Sequence, residues 1–195
     1  MVMPPIRRRW TAADVREMQD ESRAWPRYEL LHGELLVTPA PSVSHQRAVR
    51  ELFLILAPYA GHVGLGETLI SPSDIELRPE SVMQPDVFVV SAGTEFSEPP
   101  KWSDIKSLVL AIEILSPSSL RVDRVEKRDF YLEHGVAEYW VVDLDGRLVE
   151  RWTPARATPD VIRDQLSWSP SLTRNEALVI DLPEFFVRVT GKRSL

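Results

Sequence analysis

Residues 108–115 read Leu-Val-Leu-Ala-Ile-Glu-Ile-Leu, and only Glu113 among them is polar. A carboxylate in such a run is costly to bury unless donors or a cation meet it. A group held at that cost is a candidate for chemistry; an edge position or a salt bridge to an arginine is the plainer alternative. Asp86 follows Pro85 and opens the apolar run Val87-Phe88-Val89-Val90. Alone, Pro-Asp is also an ordinary turn dipeptide. Two carboxylates on neighbouring strands, however, are a usual way to hold Mg²⁺, which takes oxygen ligands and keeps several waters. The third candidate is Lys127. Asp123, Lys127 and Tyr131 stand at i, i+4 and i+8 and share a helical face, with Arg124 beside them. A solvated helix with an Asp123–Lys127 pair accounts for that spacing. So does a cation turned back toward Glu113 across the Ser116-Pro117 turn.

These side chains need strands and a helix to carry them. Thr11 and Asp14 resemble a weakened capping box, which predicts a helix over 11–24. Short apolar runs on either side of His32-Gly33 predict a β-hairpin. Val49, Leu52, Phe53 and Leu56 at i, i+3, i+4, i+7 predict an amphipathic helix from Ser42 or Ser44 to Gly61. Strands are expected at 65–70, 74–77 and 86–90, then an ordered surface excursion over 91–107. Residues 108–115 read as a strand buried on both faces. A helix over 121–133 ends at His134-Gly135, and a buried strand follows at 139–142. Asp145-Gly146 turns the chain into a strand at 148–152. The unit 108–142 is thus a strand–helix–strand crossover, with its strands expected parallel. The fold class is α/β, a mixed sheet flanked by helices. It is expected as one domain: an N-terminal helix over 11–24, a core over 25–145 and C-terminal strands over 146–195.

Composition narrows the chemistry. With 195 residues, 44% hydrophobic and 27% charged, the chain can bury a core and is not disordered in bulk. The absence of cysteine excludes a disulfide framework, a cysteine nucleophile and a thiolate zinc site. A net charge of −6 argues against coating nucleic acid through a broad basic surface, though not against an acidic pocket that holds cations. No apolar run approaches the ~18–20 residues of a membrane helix. Arg7, Arg8 and Arg9 have no apolar region behind them, so a cytoplasmic location is expected. There is no glycine-rich phosphate loop and no Gly-x-Ser-x-Gly elbow. His32, His62 and His134 lack zinc-ligand spacing. His45 could cap its helix, contact a phosphate or satisfy a polar pocket, and Arg47 and Arg50 suit a solvated face.

Together, Pro85-Asp86 and the later Glu113-Ile114-Leu115 resemble the PD-(D/E)xK restriction-endonuclease-like superfamily. More closely, the stretch from Glu113 through Ser116-Pro117-Ser118-Ser119, Asp123, Lys127, Tyr131, Gly135-Val136 and Glu138-Tyr139-Trp140-Val141-Val142-Asp143 is similar to the Uma-type family of that superfamily. Tyr28-Glu29-Leu30, Gly33-Glu34 and His45 match the family's N-terminal pattern. The resemblance implies a restriction-endonuclease-like fold and a metal-dependent DNA endonuclease. It implies Asp86 and Glu113 as ligands of Mg²⁺ or Mn²⁺, the Ile114 carbonyl as a neutral ligand and Glu34 as an additional acid. Leu115 stands where the superfamily signature has lysine, and the resemblance assigns that role to Lys127. Duplex cleavage makes a two-fold homodimer the expected assembly, with Trp140, Trp152 and the 93–107 loop as contacts. The competing reading is a catalytically inactive member of the same fold that binds nucleic acid or protein.

Overall fold

The computed structural model describes residues 9–22, 26–170 and 177–191. Helix α1 (Ala12–Ser22) is capped reciprocally: Thr11 N donates to Asp14 Oδ2 at 2.8 Å and Asp14 N donates to Thr11 Oγ1 at 3.2 Å. Strands β1 (Arg27–Leu31) and β2 (Glu34–Thr38) form the expected hairpin. Its turn places His32 and Gly33 at φ of 53° and 79°, the left-handed pair that matches hairpin twist. Helix α2 (Val43–His62) starts at Ser42, whose hydroxyl accepts His45 N.

A six-stranded sheet follows in the order β3 (Gly66–Ile70), β4 (Val87–Ser91), β5 (Leu108–Ile114), β6 (Glu138–Asp143), β7 (Leu148–Trp152) and β8 (Asp160–Ile162). Only β5 and β6 pair in parallel, so the sheet is mixed as expected. Their crossover runs through a π-helical stretch (Val122–Lys127) into α3 (Arg128–Glu133). Alternation sorts β4 and β5 onto two cores. Val87, Val89, Leu110 and Ile112 pack with α2 and the C-terminal elements. Phe88, Val90, Ala111 and Leu115 pack with α3 and the hairpin. Glu113 has the parity of Ala111 and Leu115 and therefore faces the α3 side.

Three sequence expectations are revised. Residues 74–77 form no strand, only a single bridge from Ile75 to Met83. Trp140 and Trp152 are buried in the two cores, which removes them as dimer contacts; Trp102 in the 93–107 excursion is exposed. The C-terminal region is not all strand: β9 (Gln165–Trp168) and β10 (Leu178–Asp181) form a ribbon, and helix α4 (Leu182–Thr190) closes the core. Asp181 caps α4, Pro183 lies in its first turn and Gly191 ends it at φ 70°. All three signals stand in the sequence.

Gly66 begins β3 at φ 145°, and a Cβ there would lie 1.8 Å from the Val90 carbonyl oxygen. Gly66→Ala is expected to cost about 1–3 kcal/mol or more, because both the backbone angle and the contact oppose it. Gly61→Ala, in α2 with nothing within 4 Å of its Cβ position, should be neutral or stabilising. Thermal melts of the two variants check this; equal midpoints would refute it.

Candidate active site

The β4–β5 register sets the two acids side by side. Val87 pairs with Ile112, so Asp86, one step earlier, lies across from Glu113. Ser71 holds the approach to β4: its hydroxyl reaches the Gln84 and Pro85 carbonyls at 3.0 and 2.6 Å, and Ser71 N donates to the Asp86 carbonyl. Asp86 Oδ2 accepts Ile114 N at 2.9 Å and lies 3.0 Å from His45 Nε2. Burial opposes ionisation of Asp86. His45, the Ile114 N–H and Lys127 outweigh it, and the carboxyl lies below its ordinary range.

Glu113 is only 4% exposed. Its Oε1 accepts from the Lys127 ammonium at 3.0 Å and from the Tyr131 hydroxyl at 3.3 Å. Lys127 also reaches Glu29 Oε2 at 2.8 Å and Asp123 Oδ1 at 3.7 Å. Asp123, Lys127 and Tyr131 thus do share a face, although the first two lie on the π-helical stretch. Such stretches are frequent at functional sites. Burial raises the Glu113 carboxyl well above its usual range; Lys127 opposes this, while Asp123, Asp86 and Glu29 push it further up. Burial likewise raises Asp123, to about 6, against the pull of Lys127. Burial alone would weaken the charge on Lys127, but Glu113, Glu29 and Asp123 hold its pKa well above the ordinary value.

The acid that the hairpin contributes is Glu29. Leu30 and Val82 exchange backbone hydrogen bonds at 2.8 and 2.9 Å, which docks β1 beside the approach to β4. Glu29 Oε1 then accepts Gln84 N at 2.8 Å while Oε2 meets Lys127. Glu34 is placed elsewhere. It is exposed beside the hairpin turn and does not line the cleft, which opens at the Arg27–Thr38 end. Glu34 lies four residue steps along the strand from Thr38, roughly 13 Å. Arg27 joins Glu29 in lining the cleft and is half-buried there. The sequence reading passed over Glu29, yet the signal that found Glu113 applies to it: a carboxylate inside the apolar run Tyr28-Glu29-Leu30-Leu31.

Asp86, Glu113, Glu29, Lys127 and His45 share one cleft of about 650 Å³. Among the described residues no group of three or more His, Asp or Glu is arranged as a ready-made metal cage. Mg²⁺ does not need one, since it binds through one or two carboxylates, waters and substrate oxygens. The donors fit that use. Both protein contacts on Asp86 fall on Oδ2, both on Glu113 fall on Oε1, and the buried acids outnumber Lys127.

This excess of acid has a pH signature. Asp123 holds its proton to about pH 6 when folded, against an ordinary value of 3.8, so its contribution to stability is complete below the lower value and lost through the higher. Glu113, raised further, extends the decline upward. Asp86, with a lowered value, stays ionised across this window, and Lys127 stays charged. Without divalent metal, melting temperature should therefore fall between about pH 5 and 8. Millimolar Mg²⁺ should restore it at pH 8 by binding only the ionised native site. An Mg²⁺ increment that persists unchanged in Glu113→Gln would place the ion elsewhere.

Comparisons with known proteins fit this geometry. The model of the Uma2 family, described as "putative restriction endonuclease", matches residues 12–182. A solved structure of a putative nuclease belonging to DUF820 from Anabaena variabilis ATCC 29413 superposes with a TM-score of 0.68 at 20% sequence identity. The match covers 84% of this chain and 92% of that one, and it establishes a shared nuclease-like fold. No curated protein matches the chain. Among the described residues no helix is long and apolar enough to cross a membrane.

Proposed function

The chain belongs to the Uma2 family of putative restriction endonucleases, and we propose that it is a metal-dependent endonuclease that hydrolyses phosphodiester bonds in DNA. The observation that carries this reading is the convergence of Asp86, Glu113, Glu29 and Lys127 at one end of β4 and β5. A structural core has no use for four ionisable groups there.

Asp86 and Glu113, with the Ile114 carbonyl, would hold Mg²⁺ or Mn²⁺. Such an ion supplies Lewis acidity for the attacking water and for the phosphate as it becomes pentacovalent. The chain's own groups do the rest. Lys127 keeps its proton across the working range, so it donates and does not serve as a general base. Its charge stabilises negative charge developing on phosphate oxygens. Glu29 and Asp123 fix the ammonium in place, since each meets it from a different element. Asp86 remains ionised near neutral pH and ready to bind a cation.

One observation favours the competing binding-module reading: the Lys127 ammonium is already engaged by Glu29 and Glu113. Incubating the purified chain with supercoiled plasmid separates the two. Nicked or linear product with millimolar Mg²⁺ or Mn²⁺, abolished by chelator, supports the endonuclease. DNA retained without cleavage in either metal overturns it in favour of the module.

A further inference from the structure

His45 lies on the first turn of α2, a helix whose buried apolar residues Ala48, Val49, Leu52, Leu56 and Ala60 serve the hydrophobic core. Its ring nonetheless reaches across to the site, with Nε2 at 3.0 Å from Asp86 Oδ2. The side chain is mostly buried, and Ser42 accepts the His45 backbone N–H, so the helix start anchors the residue at its root. The ring's other nitrogen, Nδ1, is buried without a hydrogen-bond partner among the described residues. An ionised carboxylate can only accept, so Nε2 carries the proton and donates it to Asp86. We propose that His45 is a positioning residue for the metal ligand Asp86. With the Ile114 N–H it pins Oδ2 from two directions and leaves Oδ1 directed to the cation. This rests on the metal-dependent reading above and adds to it a residue outside the acid–lysine set.

The geometry explains why one oxygen takes both donors. Ile114 N belongs to β5 and His45 to α2, so the carboxylate is clamped between a strand and a helix. A carboxylate held by one donor rotates about its Cβ–Cγ bond; held by two at a single oxygen, it presents the other oxygen at a fixed angle. Partners that orient a ligand in this way typically matter 10–100-fold to metal affinity.

The test measures Mn²⁺ binding by electron paramagnetic resonance on the full chain, with circular dichroism to check folding. His45→Ala should weaken Mn²⁺ about 10–100-fold. His45→Gln, whose amide nitrogen falls near the Nε2 position, should remain within about threefold of wild type. His45→Asn, which places its amide near the Nδ1 position, should behave like alanine. On plasmid DNA, His45→Ala should need correspondingly more metal while approaching wild-type rate at saturation. Alanine binding that matches wild type, or asparagine and glutamine that behave alike, overturns the proposal and leaves the metal reading intact. Wild-type protein that binds Mn²⁺ no better than Glu113→Gln overturns both.

Discussion

Glu113→Gln is expected to lower metal-dependent plasmid cleavage by at least about 10²–10³-fold, the scale set by losing one preorganised electrostatic group at a transition state. The substitution keeps volume and shape and removes only charge. Lys127 keeps its contacts with Glu29 at 2.8 Å and Asp123 at 3.7 Å, so the cluster is not left without its cation. Burial raises the Glu113 carboxyl well above its usual range and Asp123, Asp86 and Glu29 push it further, so ionising it is costly. A neutral amide relieves that cost, and the metal-free variant should melt at or above wild type at pH 8. Lost activity with retained or increased stability marks a group kept for function. A variant that loses both would make Glu113 a structural partner of Lys127. Glu29→Gln should also lower cleavage, whereas Glu34→Gln, outside the cleft, should leave it unchanged.

The contrast between Glu29 and Glu34 illustrates how much of the site could be read from sequence. Glu113 was legible because an all-apolar run makes a single carboxylate conspicuous, and Asp86 because proline fixes where its strand begins. Both lie where the periodicity put them. Lys127 followed from helical spacing, although part of that helix is π-helical. Sequence resemblance implied Glu34 as the hairpin's acid, whereas Glu29, from the other arm, lines the cleft. The choice depends on which end of the hairpin opens onto the cleft, and that is fixed by the Leu30–Val82 pairing across 52 residues of chain. The His45–Asp86 contact was hidden for the same reason: no local pattern reveals that the first turn of α2 ends above the start of β4. The centre of the sheet was legible, since β4, β5 and β6 carry short apolar runs bounded by turn residues. Helix α4 stands where strands were expected, and Pro183 in its first turn is compatible with a helix start.

Lys127→Met should be the most destabilising substitution in the cleft. Methionine matches the aliphatic stem, so the change removes the ammonium and little packing. Glu29, Glu113 and Asp123 are each under 6% exposed, and they would face one another without their shared cation. Breaking a buried pair by removing one partner costs about 3–5 kcal/mol. For a domain of this size that is roughly 6–20 °C in melting temperature. The loss must also depend on pH in a defined direction. Without Lys127, whose charge opposes the raised values of Glu113 and Asp123, those two acids hold their protons more tightly in the folded state than in wild type. The deficit should therefore be largest near pH 8, where the unfolded chain is fully ionised, and shrink toward pH 5 as the folded cluster takes up protons. A packing defect would give the same deficit at both pH values. Combining Lys127→Met with Glu113→Gln should recover part of the loss, because one of the repelling charges is gone. A double variant no more stable than Lys127→Met alone would mean that Lys127 is held by Glu29 and Asp123 without Glu113. The lysine would then be an anchor of the hairpin, and its place beside the reacting phosphate would have to be given up.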